Sequence, residues 1–406
     1  MSTVPTLDSI DLLEDTWAHA VPHEQFALLR REDPVHWHEL PDGEGFFAVT
    51  RHADIVALSR DPELWSVQRG SFFIRDQTPE ALESLGLTLV GMDPPRHTRY
   101  RRLVSTAFAP RMVAKLLDDI ERRAALLADS VEPGADVDFV ERLAARLPLQ
   151  VICEMIGVPA ADEDRIFDWS NRMVGFQDPD FRTSEEDGQT AAAEIYLYCD
   201  ELAAARVKDP RHDVMSALVH GEVDGERLST HEINMFFVTL CVAGNETTRN
   251  LLAGTLRTLI EHPDALAELR AGIDDDALWT SATEEFLRWN GSIHNFRRTA
   301  TRDTEIRGVP IRAGQKAVLF YTSANRDEDV FTDPGTLDLR RTPNDHLTFG
   351  GGGPHFCLGA NLARSQIKAL IRALVRRYPR IEPAGEARRM RSDFINGVKY
   401  LPVRFS

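Results

Sequence analysis

No proline interrupts the chain between Ser229 and Pro263, and that stretch constrains the fold more than any other feature. Ser229, followed three residues later by Glu232, forms a capping box, the side-chain pair that satisfies the first free N–H groups of a helix. Because the next proline is Pro263, one helix is predicted from about Thr230 to His262. At 1.5 Å per residue a helix of about 32 residues is about 48 Å long, enough to cross a whole globular domain.

Other helical signals surround it. Pro94 and Pro95 open a segment running through His97, Arg101 and Phe108 that Pro110 is predicted to stop. Ser281 with Glu284 reads as a second capping box, opening a short helix that carries Glu285 and Arg288. A last helix is predicted from just after Cys357 to Tyr378, where Pro379 ends it. Strand-like material is sparse. Phe46 to Thr50, preceded by the turn residues Asp42, Gly43 and Gly45, looks like half of a small hairpin, and Ala317 to Tyr321 like a buried strand. No repeat or low-complexity linker divides the chain, so the expectation is a single domain over residues 1–406, mainly α with minor β.

With 43% hydrophobic and 27% charged residues, the composition is that of a soluble globular protein. The longest apolar stretch, around Phe236 to Gly244, falls far short of the roughly 18 residues that a membrane span needs. Asp8, Asp11, Glu14 and Asp15 stand where an export signal would be basic and then apolar, so a cytoplasmic location is expected, with no membrane span. A net charge of −17 argues against nonspecific nucleic-acid binding. The four cysteines, at 153, 199, 241 and 357, are far apart and form no CxxC pair, which suggests neither a disulfide framework nor a zinc ribbon. Taken singly, each reads as a buried thiol.

Cys357 has a second reading. It follows Phe349 and the run Gly350-Gly351-Gly352-Gly353-Pro354-His355-Phe356, a glycine-rich loop that delivers one cysteine to the start of a helix. Glycines let the backbone approach a flat bulky object and adopt φ values other residues avoid. Free N–H groups at a helix start favour a thiolate over a thiol. A phosphate loop fares badly, since no Lys-Ser/Thr pair follows the glycines and GxGxxG is not satisfied. From the loop alone, an anionic sulfur ligand and a glycine turn around a buried cysteine remain equally open.

Two further segments break the tie. Ala243-Gly244-Asn245-Glu246-Thr247-Thr248 lies in the long helix and Glu285-Phe286-Leu287-Arg288 in the next, about 40 residues separating Thr247 from Arg288 and about 70 separating Arg288 from Cys357. In this order the three resemble the cytochrome P450 haem-thiolate monooxygenases. The loop has Phe349 eight residues before the cysteine, where the common form has seven. That longer loop, Ala-Gly-Asn-Glu-Thr-Thr-Arg-Asn at 243–250 and Ile395-Asn396-Gly397-Val398-Lys399 are similar to a subgroup acting on methyl-branched lipids and sterol side chains. Thr336-Leu337 departs from the Arg-Phe of many members, leaving Arg340 or Arg341 to complete the Glu285 and Arg288 cluster.

The resemblance implies a cytochrome P450 fold with the long central helix across the haem, haem b as cofactor, O2 as co-substrate, and ferredoxin with ferredoxin reductase as electron donors. It makes Cys357 the iron ligand within a loop framed by Phe349, Gly350 and Gly359, with backbone N–H groups tempering the sulfur. His97, Arg101, Arg298 and His355 match its positions for binding the haem propionates. Thr247 would donate a hydrogen bond toward oxygen, with Glu246 helping a proton relay, where Gly244 and Thr247, poor helix formers, suggest a local opening of the helix. A threonine bonding back to a carbonyl one turn earlier is the plainer alternative. Glu285 and Arg288 are assigned a structural role.

An apolar pocket is expected from Phe72 and Phe73, Leu89 and Val90, then Val238, Val242 and Ala243 on the central helix. Ile293 and Phe296 follow, and Phe394 and Ile395 near the end, with His294 and Asn295 as polar residues able to orient a substrate. Such a lining selects by shape. The subgroup implies hydroxylation of a terminal or near-terminal methyl group on a branched lipid, terpenoid or steroid side chain. Two rivals stand beside it: a tailoring hydroxylase of a polyketide, macrolide or peptide pathway, and a non-enzymatic helical protein. Between Cys357 and Arg391 nine cationic residues face two anionic ones, and Arg364, Lys368, Arg372 and Arg376 recur every four residues as a stripe expected to dock an acidic ferredoxin.

Overall fold

The capping box at Ser229 does what its spacing predicts. In the computed structural model, which describes residues 5–17, 19–41, 43–105, 107–174 and 184–406, the Ser229 hydroxyl accepts from Glu232 N–H at 3.3 Å and the Glu232 carboxylate accepts from Ser229 N–H at 2.9 Å. The helix then runs Thr230–Glu261 as 32 residues without a break. His262 N–H closes it on the Thr258 carbonyl at 2.9 Å, and Pro263 both ends this helix and opens the next, Pro263–Ala271.

The chain divides into two units. The first comprises Met1–Thr98, Glu284–Cys357 and Met390–Asn396; the second comprises Arg99–Thr283, Leu358–Arg389 and Gly397–Ser406. The second unit is helical. The central helix packs against Arg146–Ile156, Ala360–Arg377 and Glu185–Lys208. It approaches the first of these so closely at Gly244 that a Cβ there would lie 2.9 Å from Ile152 Cγ1. Gly244 is therefore a packing residue, and the expected opening of the helix is not seen. Pro110–Asp129 lies along Ala360–Arg377. The Tyr378 hydroxyl ties the two ends together, donating to the Ala128 and Val131 carbonyls, both at 2.6 Å. A three-stranded sheet joins Ile381–Pro383, Pro402–Phe405 and Asp136–Asp138 in that order.

The first unit is built on a five-stranded sheet, ordered Val35–Glu39, Gly45–Val49, Lys316–Phe320, Asn295–Ala300, Trp65–Ser66. The hairpin foreseen around Phe46 is its first pair, with Val35 opposite Val49 and Glu39 opposite Gly45. Asp42 of its turn lies outside the described residues. Lys316–Phe320, foreseen as buried, runs parallel to Gly45–Val49 and antiparallel to Asn295–Ala300. Strand alternation gives each face its own core: Phe47, Val49, Ala317 and Leu319 on one, Phe46, Ala48, Val318 and Phe320 with Trp17 and Phe26 on the other.

Three boundaries differ from expectation. Ser281 caps nothing: its hydroxyl donates to the Leu278 carbonyl inside a helix that already began at Asp276 and ends at Asn290. The helix after Pro95 spans Arg96–Ser105, shorter than expected, and Pro110 opens the following helix. The helix beyond the cysteine starts at Ala360, two residues later than expected. Among the described residues no helix is long and apolar enough to cross a membrane.

Candidate active site

Three of the four cysteines are buried and one is exposed. Burial pushes the Cys153 thiol up to about 12 and also raises those of Cys199 and Cys241, so these three stay protonated packing residues. Cys357 is the exposed cysteine. Its N–H donates to the Phe349 carbonyl at 2.9 Å, closing the loop, while Phe349 itself is buried. Gly350, Gly352 and Gly353 all adopt positive φ. Gly351 and Gly353 also press on the helix His52–Arg60, where a Cβ would fall 2.6 Å from Ser59 Oγ and 2.2 Å from the Ser59 carbonyl. Gly350, with φ of +97° and nothing nearer to its Cβ position than 3.9 Å, leaves space beside the loop. The backbone thus locks the sulfur at the end of a rigid turn, with Gly359 as N-cap of the helix that follows.

The same unit holds a cationic group. Arg298 is buried, and burial lowers its pKa. The guanidinium donates to the Arg297 carbonyl at 2.9 Å and hydrogen-bonds Tyr321, a pair of neutral partners, while the Asp93 carboxylate acts on it through space. Nothing among the described residues forms a salt bridge with it, a costly state for a buried cation. The His97 and His355 rings stand 4.3 Å apart, His97 buried and His355 half-buried. Arg101, half-buried, follows His97 by one turn on the same helix face. One exposed sulfur, a buried guanidinium awaiting an anion and two adjacent imidazoles form a donor set that fits haem, an iron centre with two carboxylates.

In the second unit the central helix is buried over most of its length, but Ala243 is exposed and Val242, Gly244 and Thr247 are half-buried. Thr247 takes the plainer of the two expected arrangements: its hydroxyl donates to the Ala243 carbonyl at 2.7 Å. Glu246 is buried, accepting from Arg249 and, at 3.1 Å, from the Asn250 amide. Val238 is core.

Of the other pocket residues, Phe72, Phe73, Phe296 and Phe394 form one aromatic cluster in the first unit, with ring centroids 4.4 Å apart for Phe72 and Phe73 and 5.0 Å for Phe73 and Phe394. Phe296 lies 5.7 Å from Phe72 and 5.5 Å from Phe394. Ile293 and Ile395 bridge beside them, and all six are half-buried, as are Leu89 and Val90 in their short turn. His294 and Asn295 are not lining residues. His294 is fully buried, its ring 4.0 Å from Trp17 and its Nδ1 2.9 Å from Thr322 Oγ1. Asn295 is equally buried and donates to the Asp393 carbonyl at 2.7 Å.

Glu285 and Arg288 pair through two hydrogen bonds, at 2.7 and 2.8 Å, with both side chains fully buried. Arg341 supplies the third member at 3.2 Å, and Asn344 a further donor at 3.1 Å that sequence reasoning missed. The cationic stripe is mostly consumed within its own unit. Lys368 and Arg372 pair with Asp276 at 2.6 and 3.2 Å, and Arg376 with Asp274 at 2.5 Å. Three of the four stripe cations thus meet two carboxylates of their own unit, which lowers the charge of the stripe without cancelling it.

A sequence profile of the cytochrome P450 family matches residues 150–398. A methyl-branched lipid omega-hydroxylase of Mycobacterium tuberculosis is 44% identical over 97% of this chain and 93% of its own. A steroid C26-monooxygenase of Mycolicibacterium smegmatis is 37% identical over 95% of this chain and 91% of its own. A Mycobacterium marinum cytochrome P450 solved in complex with pseudoionone superposes with a TM-score of 0.91, at 39% identity and full coverage of both chains. Shared sequence, shared fold and a sulfur held out by its glycine loop together make this chain a member of the cytochrome P450 family, a haem-dependent monooxygenase.

Proposed function

We propose that the enzyme hydroxylates a terminal or near-terminal methyl group on a methyl-branched lipid or steroid side chain, as one cytoplasmic domain spanning residues 1–406. Electrons would come from a ferredoxin and its reductase. The observation that carries the haem chemistry is Cys357, which alone among the four cysteines is an exposed residue. The substrate class is supported by the half-buried phenyl cluster and by the named activities of the two relatives above.

When bound, haem b supplies oxygen activation: O2, two electrons, two protons and one C–H bond become a C–OH group and water. The chain's own residues do the rest. Cys357 holds the iron through its thiolate, and loop N–H groups temper that sulfur. Arg298, His97, His355 and Arg101 bind the propionates, giving the buried Arg298 guanidinium its anion. Thr247 and Glu246 serve the proton supply: the hydroxyl must turn from the Ala243 carbonyl to donate elsewhere, and the carboxylate is held by Arg249 and Asn250. Phe72, Phe73, Phe296 and Phe394 exclude water and orient an apolar chain by shape.

The test is a panel of branched fatty acids, steroids and terpenoids read by the type I spectral shift, followed by product analysis. Shifts with branched lipids or steroids and oxidation at the chain end are expected. Binding only of a polyketide, macrolide or peptide scaffold would contradict the proposal and favour a tailoring enzyme.

A further inference from the structure

The strand Asn295–Ala300 sorts its side chains by alternation. Phe296 and Arg298 belong to one face, that of the phenyl cluster and the buried cation. Arg297 and Thr299 belong to the other, where the Arg297 Nε donates to Thr299 Oγ1 at 3.3 Å. Two further bonds of Arg297 lead to the segment carrying Phe72 and Phe73. Its backbone N–H donates to the Phe72 carbonyl at 3.0 Å, and its guanidinium donates to Asp76 Oδ1 at 2.5 Å. Gly70 lies flat against it, since a Cβ there would fall 2.2 Å from the guanidinium. Lys316, on the neighbouring strand, donates to Asp76 Oδ2 and to Glu44, both at 2.6 Å. Arg297 and Lys316 are 3% and 7% exposed, so one carboxylate of a surface segment is gripped by two cations rooted in the sheet. Ser71, between the glycine and the two phenylalanines, has φ of +73°, a conformation a non-glycine residue keeps only when its surroundings hold it.

We propose that Asp76, Arg297 and Lys316 form an ionic latch that fixes the Phe72-Phe73 segment and so sets which carbon of a substrate chain is presented for oxidation. These are positioning residues, acting through the phenyl rings. The inference rests on the hydroxylase reading above and extends it, from what is oxidised to what decides the position.

The test compares wild-type holoenzyme with Asp76→Asn and Asp76→Glu, using isopalmitic acid as substrate. Asp76→Asn is expected to keep its haem, to change the ratio of terminal to subterminal product by severalfold, and to be cut by trypsin after Arg75 severalfold faster. Asp76→Glu should restore the ratio at least in part. A fully haem-loaded Asp76→Asn enzyme with the wild-type product ratio would overturn the latch, whatever its cleavage rate. If the wild-type enzyme oxidises no branched lipid, the substrate reading fails, and the latch is then judged by phenylimidazole, a ligand that needs only haem and its pocket. Severalfold weaker binding by Asp76→Asn supports the latch, and equal binding overturns it.

Discussion

Glu246 and Thr247 are consecutive on one helix yet held in different ways. The carboxylate is buried against Arg249 and Asn250, whereas the half-buried hydroxyl bonds only within its own turn. A proton path using both needs the carboxylate charge. Glu246→Gln, which keeps the shape and removes that charge, should lower kcat by about a hundredfold with KM nearly unchanged and a larger solvent hydrogen isotope effect. An unchanged kcat would exclude Glu246 from the path. Arg298→Ala should leave the sheet folded but lower haem content after purification, because it removes the buried cation; full haem occupancy would show that the propionates are held elsewhere. These residues were legible in the sequence only through their neighbours. His294 was misread for a physical reason: its surroundings come from Trp17 and Thr322, distant in sequence, and no local pattern announces a ring that will stack there.

At the scale of elements, punctuation decided what could be foreseen. Ser229 and Pro263 frame the central helix, and a cap and a proline are local chemistry. Asn295–Ala300 was missed because its sequence, Asn-Phe-Arg-Arg-Thr-Ala, lacks an apolar run, and its arginines are buried by the sheet around them. Glu285 shows what such burial demands. Desolvation opposes its charge, but the Arg288 hydrogen bonds and charge outweigh it and hold the carboxyl below its ordinary range. A depressed carboxylate pKa contributes stability above the unfolded value, about 4.3, that is lost as pH falls through the folded one. Urea stability should therefore decline below about pH 4.3. Glu285→Gln should cost about 3–5 kcal/mol by stranding Arg288, and a loss under 1 kcal/mol would contradict the structural role assigned to it. His38 runs the same way for a different reason. Burial lowers its pKa, and its Nε2 accepts the Leu12 N–H at 3.1 Å, which only the neutral ring can do. The N-terminal segment should thus loosen as pH falls below about 6.5, read by Trp17 fluorescence and absent in His38→Gln.

For the whole molecule, the lack of any repeat or low-complexity linker in the sequence implied one domain, and a single cooperative calorimetric transition of the holoenzyme is expected; two resolved transitions would contradict it. The net charge of −17 is spread unevenly, and Lys368, Arg372 and Arg376 meet Asp274 and Asp276 within their own unit, three cations against two carboxylates. Electrostatic counting along a sequence cannot see such pairings, which depend on the helix Asp276–Asn290 starting beside the stripe. Cys357 is proposed to give its sulfur to the haem iron. The measurement that meets that proposal most directly is the absorption spectrum of the reduced protein under carbon monoxide, wild type beside Cys357→Ser. The wild type should show the strongly red-shifted band that requires thiolate opposite the gas, and the variant should lack it while remaining folded. A red-shifted band in folded Cys357→Ser, or none in haem-loaded wild type, would contradict the account.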